Sequence, residues 1–196
     1  MPTGTSLYSL EKSELEEKAR GLMRQYDVFG AWRLKWMPRA KRTLGRCEPA
    51  VSPCLLQRED YPGEKGAIKL SKNVFADLGL EVLTHPEVPE GLFTDTVLHE
   101  VAHARDFEAR GTSGHDWPWR RQAEEVGADP SRCTNISKSI RRLMAKWIRY
   151  CPECGHEVFL YRKPGKSARP RSCGRCSSSW NPRYELELRR NPDQIL

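Results

Sequence analysis

Cys151, Cys154, Cys173 and Cys176 form two Cys-x2-Cys pairs with 18 residues between them. Four thiolates at that spacing close around one tetrahedral Zn²⁺ and leave no open position, so such a metal is structural. The segment carrying them is too short to fold on its own apolar surface, and metal binding supplies the missing energy. Each pair reads as a knuckle, with Gly155 and Gly174 allowing the tight backbone that points amides at sulfur. Val158 and Leu160 before the second pair, and Tyr184, Leu186 and Leu188 after it, have strand alternation. The expectation is a zinc ribbon over residues 150–190, with 191–196 as a tail. Two redox pairs or a disulfide are the competing reading. His156 is a weaker alternative ligand, read as solvent-facing. Cys47, Cys54 and Cys133 lack any such spacing and read as ordinary thiols. Their presence makes the cysteine count odd, which suits reduced thiols inside a cell better than a disulfide framework.

A second pattern lies upstream. Residues 99–103 read His-Glu-Val-Ala-His, inside a segment, Thr94 to Ala109, with helical periodicity and a broad apolar surface. Thr94 or Asp95 can cap this helix and Gly111 can end it. On a helix, four residues turn about 400°, so His99 and His103 share a face and can bind one Zn²⁺. Glu100 is offset by about 100° and is placed to take a proton from a metal-bound water rather than to ligate. A catalytic zinc needs a third protein ligand. His115 is the best candidate, since Gly111-Thr-Ser-Gly114 is a flexible turn that can bring it back over the helix; Asp106 and Asp116 are rivals. Two imidazoles and a carboxylate on an otherwise apolar helix are costly without a shared task.

The rest of the chain frames these two patterns. A first helix is expected from about Ser9, as N-cap, to Gln25, with Leu15, Ala19, Leu22, Met23 and Tyr26 on its apolar face. Trp32, Leu34 and Trp36 alternate with Arg33 and Lys35, a strand signature. Thr43 to Cys47 and Ala67 to Leu70 read as two further strands of a small antiparallel sheet. Trp117 to Val126 reads as a helix with Asp116 at its N-cap and Gly127 past its end. Ile136, Ile140, Leu143, Met144 and Trp147 make a last helical stripe, backed by Lys138, Arg141, Arg142 and Lys146. The fold class is therefore α+β: a metal-binding domain of helices on a small sheet over residues 1–130, a basic connecting helix over 131–149, and then the ribbon. His85 precedes Pro86 in a loop and takes no role.

Charge divides the chain at the same place. Residues 1–130 hold 18 Lys+Arg and 21 Asp+Glu, whereas 131–196 hold 15 and 5, giving −3 and +10. A strongly basic second part suits a polyanion, though a solvated basic surface carries the same charge. Arg162, Lys163, Lys166, Arg169, Arg171 and Arg175, with Trp180 close by, can neutralise phosphates and stack on unpaired bases; Arg142 and Lys146 add to that half. The partner expected is DNA, single-stranded or bound without sequence preference. No run approaches the roughly 20 apolar residues of a membrane helix, and Met1 to Ser9 lack a secretory signal. The expectation is an intracellular monomer of the cytoplasm, nucleoid or nucleus.

His99-Glu-Val-Ala-His103-Ala104, Gly114-His115, Trp119, Gly127-Ala-Asp-Pro130 and the four cysteines occur in an order that resembles the SprT-like zinc metallopeptidases, the family that includes Spartan-type DNA–protein crosslink proteases. The Trp-bearing strand, Gly45 and Ile68-Lys-Leu-Ser71 fit the same order, so the resemblance runs from about residue 9 to 188. It implies a minimal zincin fold and proteolysis of proteins on or near DNA. It assigns a catalytic zinc to His99, His103 and His115, and the base role to Glu100. Two features depart from the pattern: Asp116 stands where the family often has Gly, and the ribbon is not universal among the DNA-dependent members. A nucleic-acid-binding module with a non-catalytic His site, and a peptidase indifferent to DNA, are the competing functions.

Overall fold

A computed structural model describes residues 7–40, 43–76, 91–131 and 138–194, with single positions 83 and 88. Cys133, His85 and Ile136 lie outside these. The chain divides into two compact units, 1–137 and 138–196.

In the first unit, helix α1 (Leu7–Gln25) buries Ala19 and Met23 of its apolar stripe. It starts two residues before Ser9, which is therefore inside the helix rather than its cap. Strands β1 (Trp32–Met37), β2 (Gly45–Pro49) and β3 (Gly66–Ser71) follow, with a short helix α2 (Pro53–Leu56) between the last two. Their order in the sheet is β1-β3-β2. β2 runs antiparallel to β3, but β1 runs parallel to it, so the sheet is mixed rather than antiparallel throughout. Composition explains the order. Gly66, Ala67, Ile68, Leu70 and Ser71 are all buried, whereas β1 keeps Arg33 and Lys35 exposed. The strand buried along nearly its whole length takes the centre, and it inserts between two strands that are neighbours in sequence.

Helix α3 (Leu92–Arg110) packs on β2, β3 and α1. It begins earlier than the side-chain caps suggested. Gly91 adopts the left-handed conformation at φ 78°, and Thr94 and Asp95 lie within the first turn. Leu92 and Phe93 are buried, so the extra turn gains apolar contact. Asp95 instead accepts from the backbone N–H of Asp129 at 3.1 Å. Gly111 ends α3 at φ 73°, and helix α4 (Trp117–Val126) follows, with Pro118 in its first turn and Gly127 past its end.

The second unit opens with helix α5 (Lys138–Met144), which buries Ile140, Leu143 and Met144. Trp147, assigned by periodicity to this helix, instead starts strand β4 (Trp147–Tyr150), and Lys146 stands exposed between them. β4 is the centre of an antiparallel sheet with β5 (Glu157–Leu160) and β6 (Glu187–Arg190). Asn191 is buried and donates to the carbonyls of Arg142 and Ala145 at 2.6 and 2.7 Å. Residue 191 thus caps α5 rather than opening a loose tail.

Candidate metal centres

Helix α3 sets out the first centre. His99 and His103 lie one turn apart on one face, and the turn after Gly111 returns His115 to them. The three Nε2 atoms converge: His99 to His115 is 3.1 Å and His103 to His115 is 3.3 Å. A zinc–nitrogen bond of about 2.0–2.1 Å sets a tetrahedral edge of about 3.3–3.4 Å, so three ligands of one ion fit this spacing. Asp106 and Asp116, the rival ligands, are turned away and bind Arg110.

The two helix imidazoles are kept neutral. Burial, with the His115 ring beside it, lowers the pKa of His99 to about 4. Burial and both neighbouring rings lower that of His103 to about 3. A neutral ring offers a lone pair, as metal binding requires. Ser113 Oγ lies 2.8 Å from His103 Nδ1; in the tautomer with the proton on Nδ1 it accepts that N–H, and the lone pair of Nε2 then faces the centre. The fully buried ring of Trp119 backs the cluster, with centroids 4.8, 5.0 and 4.4 Å from His99, His103 and His115. The geometry therefore adds Ser113 and a packing role for Trp119. Ser113 had a sequence signal, a hydroxyl two residues before the third ligand, but its partner could not be read from spacing.

Glu100 lies off the stripe of the two ligands, as its offset of about 100° requires, and is not one of the three converging groups. It is buried against β2, where it accepts from the backbone N–H of Cys47, and burial raises its pKa to about 8. Gly45 makes this possible. A Cβ there would lie 2.7 Å from Glu100 Oε1 and 2.8 Å from its Cγ.

The second centre is the cysteine cluster. Cys151 Sγ is 3.8 Å from Cys176 Sγ, and Cys154 Sγ is 3.6 Å from Cys173 Sγ. A zinc–sulfur bond of about 2.3 Å sets an edge of about 3.8 Å, and all four cysteines are free rather than disulfide-bonded. All four sulfurs lie within 4.8 Å of one another. Gly155 takes φ 67° in the first knuckle, while Gly174 needs no such conformation. Burial opposes ionisation of the Cys173 thiol, but the backbone N–H groups of Arg175 and Cys176 outweigh it and lower its pKa to about 7.

The basic residues of this unit separate into two sets. Arg162, Arg169 and Arg171 line a cleft of about 670 Å³ with Arg149, His156 and the apolar side chains of Val158, Leu160 and Leu186. Lys166, Arg175 and Trp180 are exposed, and Lys163 lies 4.9 Å over the Trp147 ring. Arg142 differs, since it bridges Glu157 and Asp193 within the unit. His156 is half-buried at the cleft wall rather than solvent-facing, and it is no part of the sulfur cluster. Arg149 was not singled out by sequence, because as one basic residue in a strand it has no local signal.

A small mixed sheet under a helix that presents two imidazoles, with a third from the next turn, defines an α+β protein with a three-histidine centre compatible with zinc. Residues 14–140 match the model of the SprT-like family. That match spans more than half of the chain, and the chain belongs to this family. Comparison with curated proteins gives no match. Among the described residues no helix is long and apolar enough to cross a membrane.

Proposed function

We propose that this chain is a zinc endopeptidase that acts on proteins bound or crosslinked to DNA. The carrying observation is the convergence of three imidazole nitrogens, two of them from the helix that also carries the buried Glu100. Zinc held there supplies Lewis acidity towards a peptide carbonyl and an acidified water. The chain's own part is to hold that geometry and to move the proton. Glu100 accepts a proton and returns it to the leaving amine, a task suited to a carboxylate whose pKa lies near neutrality. The positive charge of a bound dication lowers that pKa and favours the ionised, accepting form. Trp119 keeps water from the back of the histidines.

DNA binding rests on the second unit. Its cleft combines arginines for phosphates with an apolar floor, and exposed Trp180 offers a ring for a base. Phosphate contacts and ring stacking carry no base preference, so sequence-independent binding is the fit, and single strands favour stacking. The protein then acts inside a cell, where such substrates occur.

The test is cleavage of a DNA-binding protein by the native chain and by Glu100→Gln, each with and without single-stranded DNA. Cleavage by the native chain only when DNA is present supports the whole proposal. Equal cleavage with and without DNA favours a peptidase indifferent to DNA. DNA binding with no cleavage in any sample favours a binding module.

A further inference from the structure

Arg110 closes the loop that carries the third histidine. It is the last residue of α3, and its guanidinium forks twice. Nε and Nη2 donate to Asp106 at 2.6 and 2.7 Å, and Nη1 and Nη2 donate to Asp116 at 2.9 and 2.6 Å. Residues 99, 103, 106 and 110 fall within about 60° of one another at 100° per residue, so the two ligands and the clamp share one stripe of the helix. Asp106 is buried, with 2% of its side chain exposed, and anchors the arginine from below. Asp116 is the neighbour of His115.

The turn between them is fixed at three further points. Gly111 is left-handed, and a Cβ there would lie 2.8 Å from Pro53 Cβ. Ser113 is bound to His103, and Trp119 packs against His115. We infer that Arg110, seated on Asp106 and gripping Asp116, is a positioning residue that holds His115 in the ligand geometry before any metal arrives. This rests on reading the three histidines as a metal centre. Two bidentate pairs specify orientation as well as attraction. Outer partners of metal ligands typically change affinity by about 10–100-fold.

The experiment uses the full chain with its four cysteines already loaded with zinc. A further equivalent of zinc is titrated against a chromogenic chelator at about 0.1 M salt, and the unfolding midpoint of the chain lacking that further zinc is recorded. Asp116→Ser keeps a helix-capping residue but cannot reach Arg110. Its zinc affinity is expected to fall about tenfold, with the unfolding midpoint nearly unchanged, because an exposed ion pair contributes little to stability. Asp116→Glu keeps the carboxylate and stays within about threefold of the native chain. Salt at about 1 M screens the exposed half of the clamp and brings native affinity towards that of the Ser variant. Arg110→Lys is the second variant: it keeps a charge on Asp106 but cannot fork to both carboxylates, and it too loses affinity. Equal zinc affinity in native and Asp116→Ser chains overturns the inference, as does a lower midpoint with unchanged affinity. A native chain that takes up no further zinc removes the metal-centre reading itself.

Discussion

Replacing Gly45 with alanine tests how the glutamate is placed. The new Cβ would meet Glu100 Oε1 at 2.7 Å, Glu100 Cγ at 2.8 Å and the Thr96 methyl at 2.9 Å, where ordinary contact begins at 3.4 Å. The overlaps are therefore about 0.5–0.7 Å on three atoms. Glu100 is buried and has little free space to enter. Thr96 is held by its bond to the Leu92 carbonyl at 2.7 Å. Relief requires α3 to lift off β2 or Glu100 to swing away. Overpacking of this kind costs about 1–3 kcal/mol, less roughly 0.5–1 kcal/mol gained by removing a flexible glycine. A net loss of about 1–2 kcal/mol in urea unfolding is expected. A misplaced proton acceptor costs about 10²-fold in rate, so peptide cleavage should fall far more than stability suggests. The double variant with Glu100→Ala removes two of the three overlaps, and the stability loss from Gly45→Ala should shrink by about 1 kcal/mol. Equal losses from Gly45→Ala with and without the Glu100 side chain would refute this packing argument, as would a Gly45→Ala chain with native stability and native cleavage.

Three further outcomes follow from the same geometry. Without metal, Glu100 has a folded pKa of about 8 against an ordinary 4.5, so the folded chain holds the extra proton between these values. The contribution of Glu100 to stability is then lost as pH rises through that window, with a slope of up to about 1.4 kcal/mol per pH unit. Subtracting the metal-free Glu100→Gln curve from the native one isolates it; a flat difference between about pH 5 and pH 8 contradicts the buried-carboxyl account. Ser113→Ala removes the acceptor on His103 Nδ1 and should weaken zinc binding at the histidines by about tenfold in a chelator competition. Cys173→Ser should reduce bound zinc from two equivalents to one and unfold the second unit, read as lost amide dispersion across residues 138–194. The first unit should keep its fold.

The parts of this architecture that repeat along the chain are legible in sequence. The helix-spaced histidines, the paired cysteines and the alternation of Trp32, Leu34 and Trp36 each specify their element through period or spacing. The edges are less legible. Gly91 starts α3 through a left-handed backbone that no side-chain cap announces. Trp147 continues a helical stripe by spacing, yet joins a strand because it pairs with Leu160 and Arg190, contacts that lie far along the chain. The parallel pairing of β1 with β3 is invisible for the same reason. At the metal centre, the ligands could be named because their chemistry is distinctive. Ser113, Arg110 and Gly45 could not be given their roles, since each acts through a partner that only the fold brings near. Asp106 and Asp116 show the converse: both offer ligand chemistry, and Arg110 takes both.

The most direct test of the central claim pairs metal content with cleavage. Native chain and Glu100→Gln are assayed for bound zinc and for hydrolysis of the same DNA-binding protein, with single-stranded DNA present in both. Both chains should hold two zinc ions, yet the variant should cleave at least about 100-fold more slowly, because only the proton acceptor has gone. Cleavage at the native rate by a fully loaded Glu100→Gln chain would contradict the assignment of that glutamate and of the site built around it.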